Sequence, residues 1–176
     1  MRRDFAPREI RDILSRMEIV ANNEEETAAG KGLLELGCRL RPGRLPVGSF
    51  SAAAPILDGG FQSFADEVAV ERIGGLEALC ARLTYGRERF EGQLLRACAK
   101  GIRYTLLVEG GSYQAIREHG YESKMHPNAL LGSLFQWQAR YGFPILFCQP
   151  EESGRLIYAT LYYWLKERLE TGMAGR

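Results

Sequence analysis

Two short, uninterrupted apolar segments in the second half of the chain most constrain its fold. Residues 104–108 (Tyr-Thr-Leu-Leu-Val) and 145–148 (Ile-Leu-Phe-Cys) lack the polar alternation of a half-exposed strand. They are also far too short to span a bilayer. Helical patterns over residues 112–118 and 128–141 separate them. The chain therefore predicts an α/β fold in which helices flank a mixed β-sheet.

The first half of the chain has a similar alternation with more turn residues. A turn at Asp58, Gly59 and Gly60 lies between two extended stretches, which predicts a β-hairpin. The other predicted elements are helices over 7–16, 24–36, 76–83, 87–100 and 156–169, strands over 18–21 and 67–71, and two extended pieces within 39–55. The helix over 87–100 is expected to bury Phe90, Leu94, Leu95 and Cys98.

Length and charge exclude several classes of protein. A chain of 176 residues fits one domain over residues 1–176, with its core at roughly residues 10 to 170. Lys and Arg (23) balance Asp and Glu (22), so no global field indicates an acidic or basic partner. The N-terminus has no apolar signal-peptide region, and no apolar run spans a membrane. We expect a cytoplasmic protein with no membrane partner.

The cysteines and histidines argue against a metal or redox site built from them. The four cysteines lie among apolar residues without a C-x-x-C pair, which predicts buried free thiols. They are Cys38, Cys80, Cys98 and Cys148. His119 and His126 flank Gly120 and Pro127, which is typical of loop histidines, and two are too few for a multi-histidine metal site.

Charge is locally uneven. Residues 82–103 contain six basic and two acidic residues, a net charge of +4. Arg39, Arg41 and Arg44 form a second basic patch. Either a solvated helix face or a phosphate-contacting surface has this pattern. We expect a basic row on one side of the helix, made of Arg89, Arg96, Lys100 and Arg103.

Four spaced motifs follow one another in the middle of the chain. In order they are Val70-Glu71-Arg72, Leu76-Glu77-Ala78-Leu79, Gly86-Arg87 followed by Gln93, and Leu106-Leu107-Val108-Glu109. This order resembles the XPF-type structure-specific nuclease domain, in the short single-domain form of bacteria and phages. The resemblance extends over roughly residues 10 to 170, and the ordered set is more specific than any one motif.

The resemblance implies a restriction-endonuclease-like fold and a metal-dependent chemistry. In such nucleases, carboxylates from adjacent strands hold Mg²⁺, which polarises the scissile phosphate, while a lysine assists the attacking water. This chain departs from the pattern: Asn22, Ser49 and Ile73 stand where the family has Asp, Asp and Lys. Glu71 and Glu25 are retained. We therefore expect no metal, with Glu71 the ligand if there is one, and Mg²⁺ as cofactor only if the chain is active.

The implied function is a pseudonuclease that binds branched or flap DNA independently of sequence. The DNA-binding candidates are Arg72, Arg87, Arg89, Gln93, Lys100 and Lys124. Each has an alternative role. Arg72 has a local ion pair with the adjacent Glu71, and Arg87 has a pair with Glu91. For Gln93 the alternative is a packing contact, and for Lys124 it is simple solvation. We expect no helix-hairpin-helix module beside the domain, and therefore a modest affinity for DNA.

Two other functions stay open. One is an active endonuclease with a migrated site, drawing on Glu24, Glu26, Asp66 or Glu67 and on Lys100 or Lys124. The other is a protein-interaction subunit without nucleic-acid binding. The final helix carries more apolar residues than one stripe needs, among them Tyr158, Tyr162, Tyr163 and Trp164. We expect a homo- or heterodimer formed through helices that include this one.

Overall fold

Helices cover both faces of a mixed β-sheet in the computed structural model, which describes residues 5–23, 27–57 and 60–172. The helices are α1 Pro7–Ser15, α2 Ala28–Glu35, α3 Leu76–Leu83, α4 Arg87–Lys100, α5 Tyr113–Arg117, α6 Pro127–Tyr141 and α7 Pro150–Thr171. The strands are β1 Glu18–Ala21, β2 Arg39–Pro42, β3 Phe50–Leu57, β4 Gly60–Ser63, β5 Val68–Ile73, β6 Arg103–Glu109 and β7 Ile145–Cys148.

The strand order explains how distant motifs meet. The sheet runs β2-β1-β3-β5-β6-β7, with β4 paired to β3. Strand β3 is antiparallel to both β1 and β5, whereas β5, β6 and β7 are parallel. The carboxyl ends of β1, β5, β6 and β7 and the start of β3 therefore share one edge, here called the carboxyl edge. Helix α4 returns the chain from this edge to the opposite one, where β6 begins.

Each face of the sheet has its own hydrophobic core. The first core lies under α1, α2 and α7, and the second under α3, α4 and α6. Along β5 the residues alternate between them: Val68 and Val70 join the first core, and Ala69 and Ile73 the second. This alternation directs Glu71 to the second core and Arg72 to the first.

Helices α2 and α7 approach each other more closely than side chains would permit. A Cβ atom at Gly154 would lie 2.8 Å from the backbone carbon of Gly32. Gly154 is therefore required for a crossing in which the two backbones touch. This contact fixes α2 against the helix that covers the first core.

Three helices differ from their predicted form. Helix α2 begins at Ala28, not at residue 24, because the Thr27 hydroxyl accepts a hydrogen bond from the Gly30 amide (3.1 Å) and caps it there. Helix α7 begins at Pro150, six residues earlier than predicted, since proline suits the first helical turn. The buried stripe of α4 is Phe90, Leu94 and Ala97.

That stripe also corrects the predicted environment of one thiol. Cys98 is exposed, as is Leu95, because each lies one position from a buried residue and therefore about 100° around the helix. Cys80 and Cys148 are buried as predicted, and Cys38 is half-buried. Strand β4 was not predicted. Of the turn predicted at residues 58–60, residues 58 and 59 lie outside the described residues, and Gly60 is the first residue of β4. Among the described helices none is both long and apolar enough to cross a membrane.

Candidate functional site at the carboxyl edge of the sheet

Backbone hydrogen bonds bring three predicted site residues together at the carboxyl edge. The Asn22 amide donates to the Ser49 carbonyl, and the Ser49 amide donates to the Val70 carbonyl, both at 2.9 Å. Gly48 has a φ of +81°, and a Cβ there would lie 3.0 Å from the Ala69 Cβ. A glycine before Ser49 thus lets β3 approach β5 closely. Asn22, Ser49 and the neighbouring Glu71 consequently lie side by side.

The Glu71 carboxylate is buried and bound on both oxygens. Its side chain is 5% exposed, and the Arg82 guanidinium of α3 lies 3.0 Å from Oε1. The Gln93 amide of α4 donates to Oε2 at 3.1 Å. Burial, and secondarily the nearby Glu71 charge, raises the pKa of Tyr104 well above its usual value. Glu71 is therefore tied to the two helices that cover the second core.

Arg72 points to the other face and binds within the protein. Its guanidinium lies 3.1 Å from Oε2 of Glu109, and the two side chains are 15% and 7% exposed. The Arg72 amide donates to the Ser49 hydroxyl at 3.2 Å. Arg72 thus forms an ion pair with Glu109, 37 residues away in sequence, whereas the ion pair foreseen for it was local, with the adjacent Glu71. A buried, paired guanidinium is poorly placed to contact phosphate.

Ile73 occupies the position where the family has lysine. It is 1% exposed and belongs to the second core. Its side chain shares a face with Glu71, two residues earlier on β5. The chain therefore has an apolar packing residue where the family pattern has a cation.

These side chains do not fit a divalent metal. Mg²⁺ needs anionic oxygen ligands, whereas Asn22 and Ser49 are neutral and the Ser49 hydroxyl already accepts the Arg72 amide. Both Glu71 oxygens have nitrogen partners. No group of three or more metal-ligating side chains occurs among residues 5–23, 27–57 and 60–172. Glu25, the other retained carboxylate, lies outside the described residues, as do Glu24 and Glu26.

Three of the four residues of the predicted basic row, Arg89, Arg96 and Lys100, are exposed on one side of α4, but Arg103 does not belong to that helix. Helix α4 ends at Gly101, whose φ of +69° closes it, so Arg103 lies on β6 instead. Lys100 bonds Asp66 at 2.9 Å at the amino end of β5. Arg89 is exposed near the start of α4, about 16 Å from Lys100 along the helix. Arg89 and Lys100 therefore belong to opposite edges of the sheet.

Arg87 has the structural role foreseen as its alternative. Its guanidinium lies 3.8 Å from Glu91, donates to the Ser133 hydroxyl at 3.4 Å and covers the Trp137 ring. The Trp137 indole in turn donates to Glu91 at 3.1 Å. Arg87 therefore links α4 to α6 while its side chain stays 38% exposed.

Lys124 is exposed on the loop between α5 and α6. The Glu77 carboxylate of α3 accepts the amides of Glu122 and Ser123 from this loop, the latter at 3.1 Å. His119 and His126 lie in loop and cap positions, as predicted, with His126 capping α6. The loop is thus attached to α3, which places Lys124 on the same side as Arg82.

Sequence reasoning missed Arg82 and the partner of Arg72. Arg82 was counted as one of several basic residues, although it is the arginine of a short apolar helix that directly follows the Glu-Arg strand. Glu109 was quoted as part of a strand motif without a role. An acid at the end of an apolar strand is the signal that could have identified it, since a buried carboxylate requires a partner.

Most aromatic residues of α7 cover the first core. Tyr158, Tyr162 and Trp164 pack against it, whereas Tyr163 is 64% exposed. A second group lies elsewhere: the Tyr113 ring is stacked on Phe135 at 5.7 Å and meets Phe147 edge-on at 4.8 Å. We call Tyr113, Phe135 and Phe147 the aromatic cluster. It lies where α5 and α6 adjoin β7, at the end of the sheet order.

Two solved structures share the fold of this chain. The structure of XPF from Aeropyrum pernix matches with a TM-score of 0.62 at 19% identity, covering 84% of this chain and 61% of that one. Its complex with DNA matches with a TM-score of 0.63 at 20% identity, covering 88% of this chain and 68% of that one. This chain thus spans about three fifths of the first XPF chain's length. The likeness confirms the predicted restriction-endonuclease-like fold.

Sequence comparison gives the family. No curated protein sequence matches this chain. The sequence profile of the ERCC4 domain, however, matches residues 8–160, which is most of the chain. The matched region contains every element from α1 to β7 and the whole carboxyl edge. The chain therefore belongs to the ERCC4 domain family, as its resemblance to XPF-type nucleases implied.

Proposed function

We propose that this chain binds DNA without cleaving it, through sequence-independent contacts to phosphates at the carboxyl edge. The observation that carries the proposal is that both oxygens of the Glu71 carboxylate already have partners within the protein. Arg82 and Gln93 bind both oxygens of this carboxylate. Neutral residues hold the neighbouring ligand positions, Asn22 and Ser49. The site keeps its backbone while lacking the charge that would hold Mg²⁺.

Exposed cations near that edge support DNA as the ligand. Arg82 and Arg87 are 40% and 38% exposed, and Arg89 and Lys124 are exposed. A protein of the same fold, XPF from Aeropyrum pernix, has been solved in complex with DNA. We infer that branched or flap DNA is the preferred ligand, in keeping with the structure-specific nucleases that the chain resembles.

Binding is tested with a fluorescein-labelled flap DNA and a linear duplex of the same composition. Fluorescence anisotropy across a salt series should show affinity that falls as salt rises, with tighter binding to the flap. Arg89→Ala should weaken binding and lower the salt slope by about one unit. Arg11→Ala is the matched control, because Arg11 is exposed on α1 at the other face. Absence of salt-dependent binding at low ionic strength would favour the protein-interaction alternative.

Cleavage is tested separately on the same DNAs. Incubation with Mg²⁺ or Mn²⁺ should leave both DNAs intact, because the site lacks the anionic ligands for either ion. Cleavage that disappears in Glu71→Ala would instead establish the active-endonuclease alternative. Cleavage that persists in that variant and survives a second purification step would indicate a migrated site, whereas cleavage that this step removes would come from a contaminating nuclease.

We also propose that two copies associate through the aromatic cluster. Tyr113 and Phe135 are 39% and 53% exposed although they are large apolar rings, and they lie beside β7, an edge strand. Sedimentation velocity should show a dimer that Phe135→Ser shifts towards monomer. Tyr163→Ser tests the interface expected from the sequence, which included α7, and it should leave a dimer formed by the aromatic cluster intact. A wild-type monomer at high concentration would refute this part of the proposal.

A further inference from the structure

The ion pair between Glu71 and Arg82 is buried on one side only. The carboxylate side chain is 5% exposed, whereas the arginine side chain is 40% exposed. Glu71 therefore fixes the guanidinium from below, and part of the cation faces solvent. The guanidinium also lies 5.4 Å from the centre of the Phe90 ring, which supports it on a second side.

This cation stands beside the position that a metal would serve in an active relative. A nuclease metal balances the charge of the strand carboxylates and also binds the phosphate of the substrate. Arg82 balances Glu71 directly, and a guanidinium has five N–H donors in a planar fork. Its ion pair with Glu71 uses Nη1, which leaves further N–H donors of the fork for a phosphate oxygen. Arginine suits this role because it pairs with carboxylate and phosphate alike.

We propose that Arg82 replaces the divalent cation as the phosphate-binding charge of this site. This proposal rests on the proposed DNA-binding function and specifies how that function works. A phosphodiester group binds the guanidinium that Glu71 anchors, and no metal takes part. The change from a diffusible ion to a side chain explains why Glu71 is retained although the ligand positions at Asn22 and Ser49 are neutral. Its role is to orient Arg82, so Glu71 is a positioning residue.

The experiment measures flap-DNA binding by fluorescence anisotropy in EDTA and in Mg²⁺, at equal ionic strength. Wild-type affinity should be the same in both solutions. Arg82→Ala would leave a buried carboxylate without its guanidinium and could unfold the chain. The principal variant is therefore the double change Glu71→Gln with Arg82→Gln, which keeps the shape at residue 71, shortens the side chain at residue 82 and removes both charges. Its affinity in EDTA should fall about tenfold, and its salt slope should fall by about one unit.

Arg11→Gln serves as the matched control, because it removes one exposed cation from the opposite face of the sheet. It should bind as the wild type does. A second variant, Glu71→Gln alone, keeps the Arg82 charge while weakening its anchor. It should lose affinity, but less than the double variant.

The outcomes separate this inference from the function on which it rests. Wild-type binding in EDTA that is unchanged in the double variant would overturn the role of Arg82 while leaving DNA binding in place. Wild-type binding that requires Mg²⁺ would also overturn it. No binding by the wild type in either solution would instead refute the proposed function itself.

Discussion

The two ends of the sheet hold similar ion pairs in different surroundings. At the carboxyl edge, Glu71 pairs with Arg82 and Glu109 with Arg72, and the carboxylate side chains are 5% and 7% exposed. One oxygen of Glu109 has no hydrogen-bond partner among the described residues. These acids lie at the ends of central strands, where water does not replace a missing partner.

At the opposite end, the pairs meet solvent. Lys100 and Asp66 pair at 2.9 Å with side chains 51% and 73% exposed. Arg168 and Glu67 pair at 2.5 Å and are intermediate, with 21% and 22% exposed. Water stabilises the separated charges of Lys100 and Asp66 almost as well as the ion pair does, so this pair adds little to stability. The ion pairs are therefore required for stability at the carboxyl edge, whereas the exposed pair at the opposite edge contributes little.

The largest expected effect is at the most buried pair. Arg72→Ala leaves the Glu109 carboxylate in the first core without its guanidinium, and unfolding free energy should fall by about 4 kcal/mol. Urea denaturation followed by circular dichroism measures the change. The double variant Arg72→Met with Glu109→Leu removes both charges and should recover most of the loss. Equal stability of Arg72→Ala and wild type would show that this edge is as tolerant as the other.

Restoring the family lysine should also destabilise the carboxyl edge. Ile73→Lys places an ammonium group in the second core, where the unfolding free energy should fall by about 3 kcal/mol. Leu95→Lys is the matched control, because Leu95 is 56% exposed on α4 and its replacement should be nearly neutral. Chemical denaturation of the two variants gives the comparison. A stable Ile73→Lys protein would mean that the lysine reaches solvent or Glu71.

The thiols give a smaller, pH-dependent contrast. Burial, with Glu109 nearby as the second cause, raises the pKa of Cys148 to about 11 from 9.0. The folded state then holds a proton that the unfolded state loses, so stability should fall as pH rises from 9 to 11. Cys148→Ala should lessen this fall. At pH 8, iodoacetamide should modify the exposed Cys98 well before Cys148, as peptide mapping would show.

The smallest effect is expected at the exposed pair. Lys100→Ala should change unfolding free energy by less than about 0.5 kcal/mol. Because Lys100 lies at the edge away from Arg82, flap-DNA affinity should also change little. Anisotropy and urea denaturation on one preparation test both statements. A large loss of affinity would extend the DNA-binding surface along the whole of α4.

The sequence predicted helices and strands well where the residues within a segment were enough to define its bounds. The apolar segment at 145–148 and the helices at 76–83 and 87–100 have their predicted bounds. The error at Arg103 arose although Gly101 was available as a stop signal. The late start predicted for α7 overlooked Pro150 in the same way.

The site could be located from its motifs but its partners could not. Asn22, Ser49 and Glu71 follow from a resemblance that aligns consecutive strands. The pairing of Glu71 with Arg82 depends on how α3 packs over the sheet. Counting the charges in a segment does not predict which partner each side chain contacts. The same holds for Arg72, whose partner Glu109 is on the next strand of the sheet but 37 residues away in sequence.

The contact between Gly32 and Gly154 has a consequence for engineering this protein. Because the two helix backbones touch, a methyl group at residue 154 would displace α2 and, with it, the Thr27 cap that ends the connection from β1. Asn22 begins that connection. Directed evolution towards a working nuclease would therefore start from a fixed backbone frame, and its library belongs at positions 22, 49, 73 and 82, with Gly154 held constant.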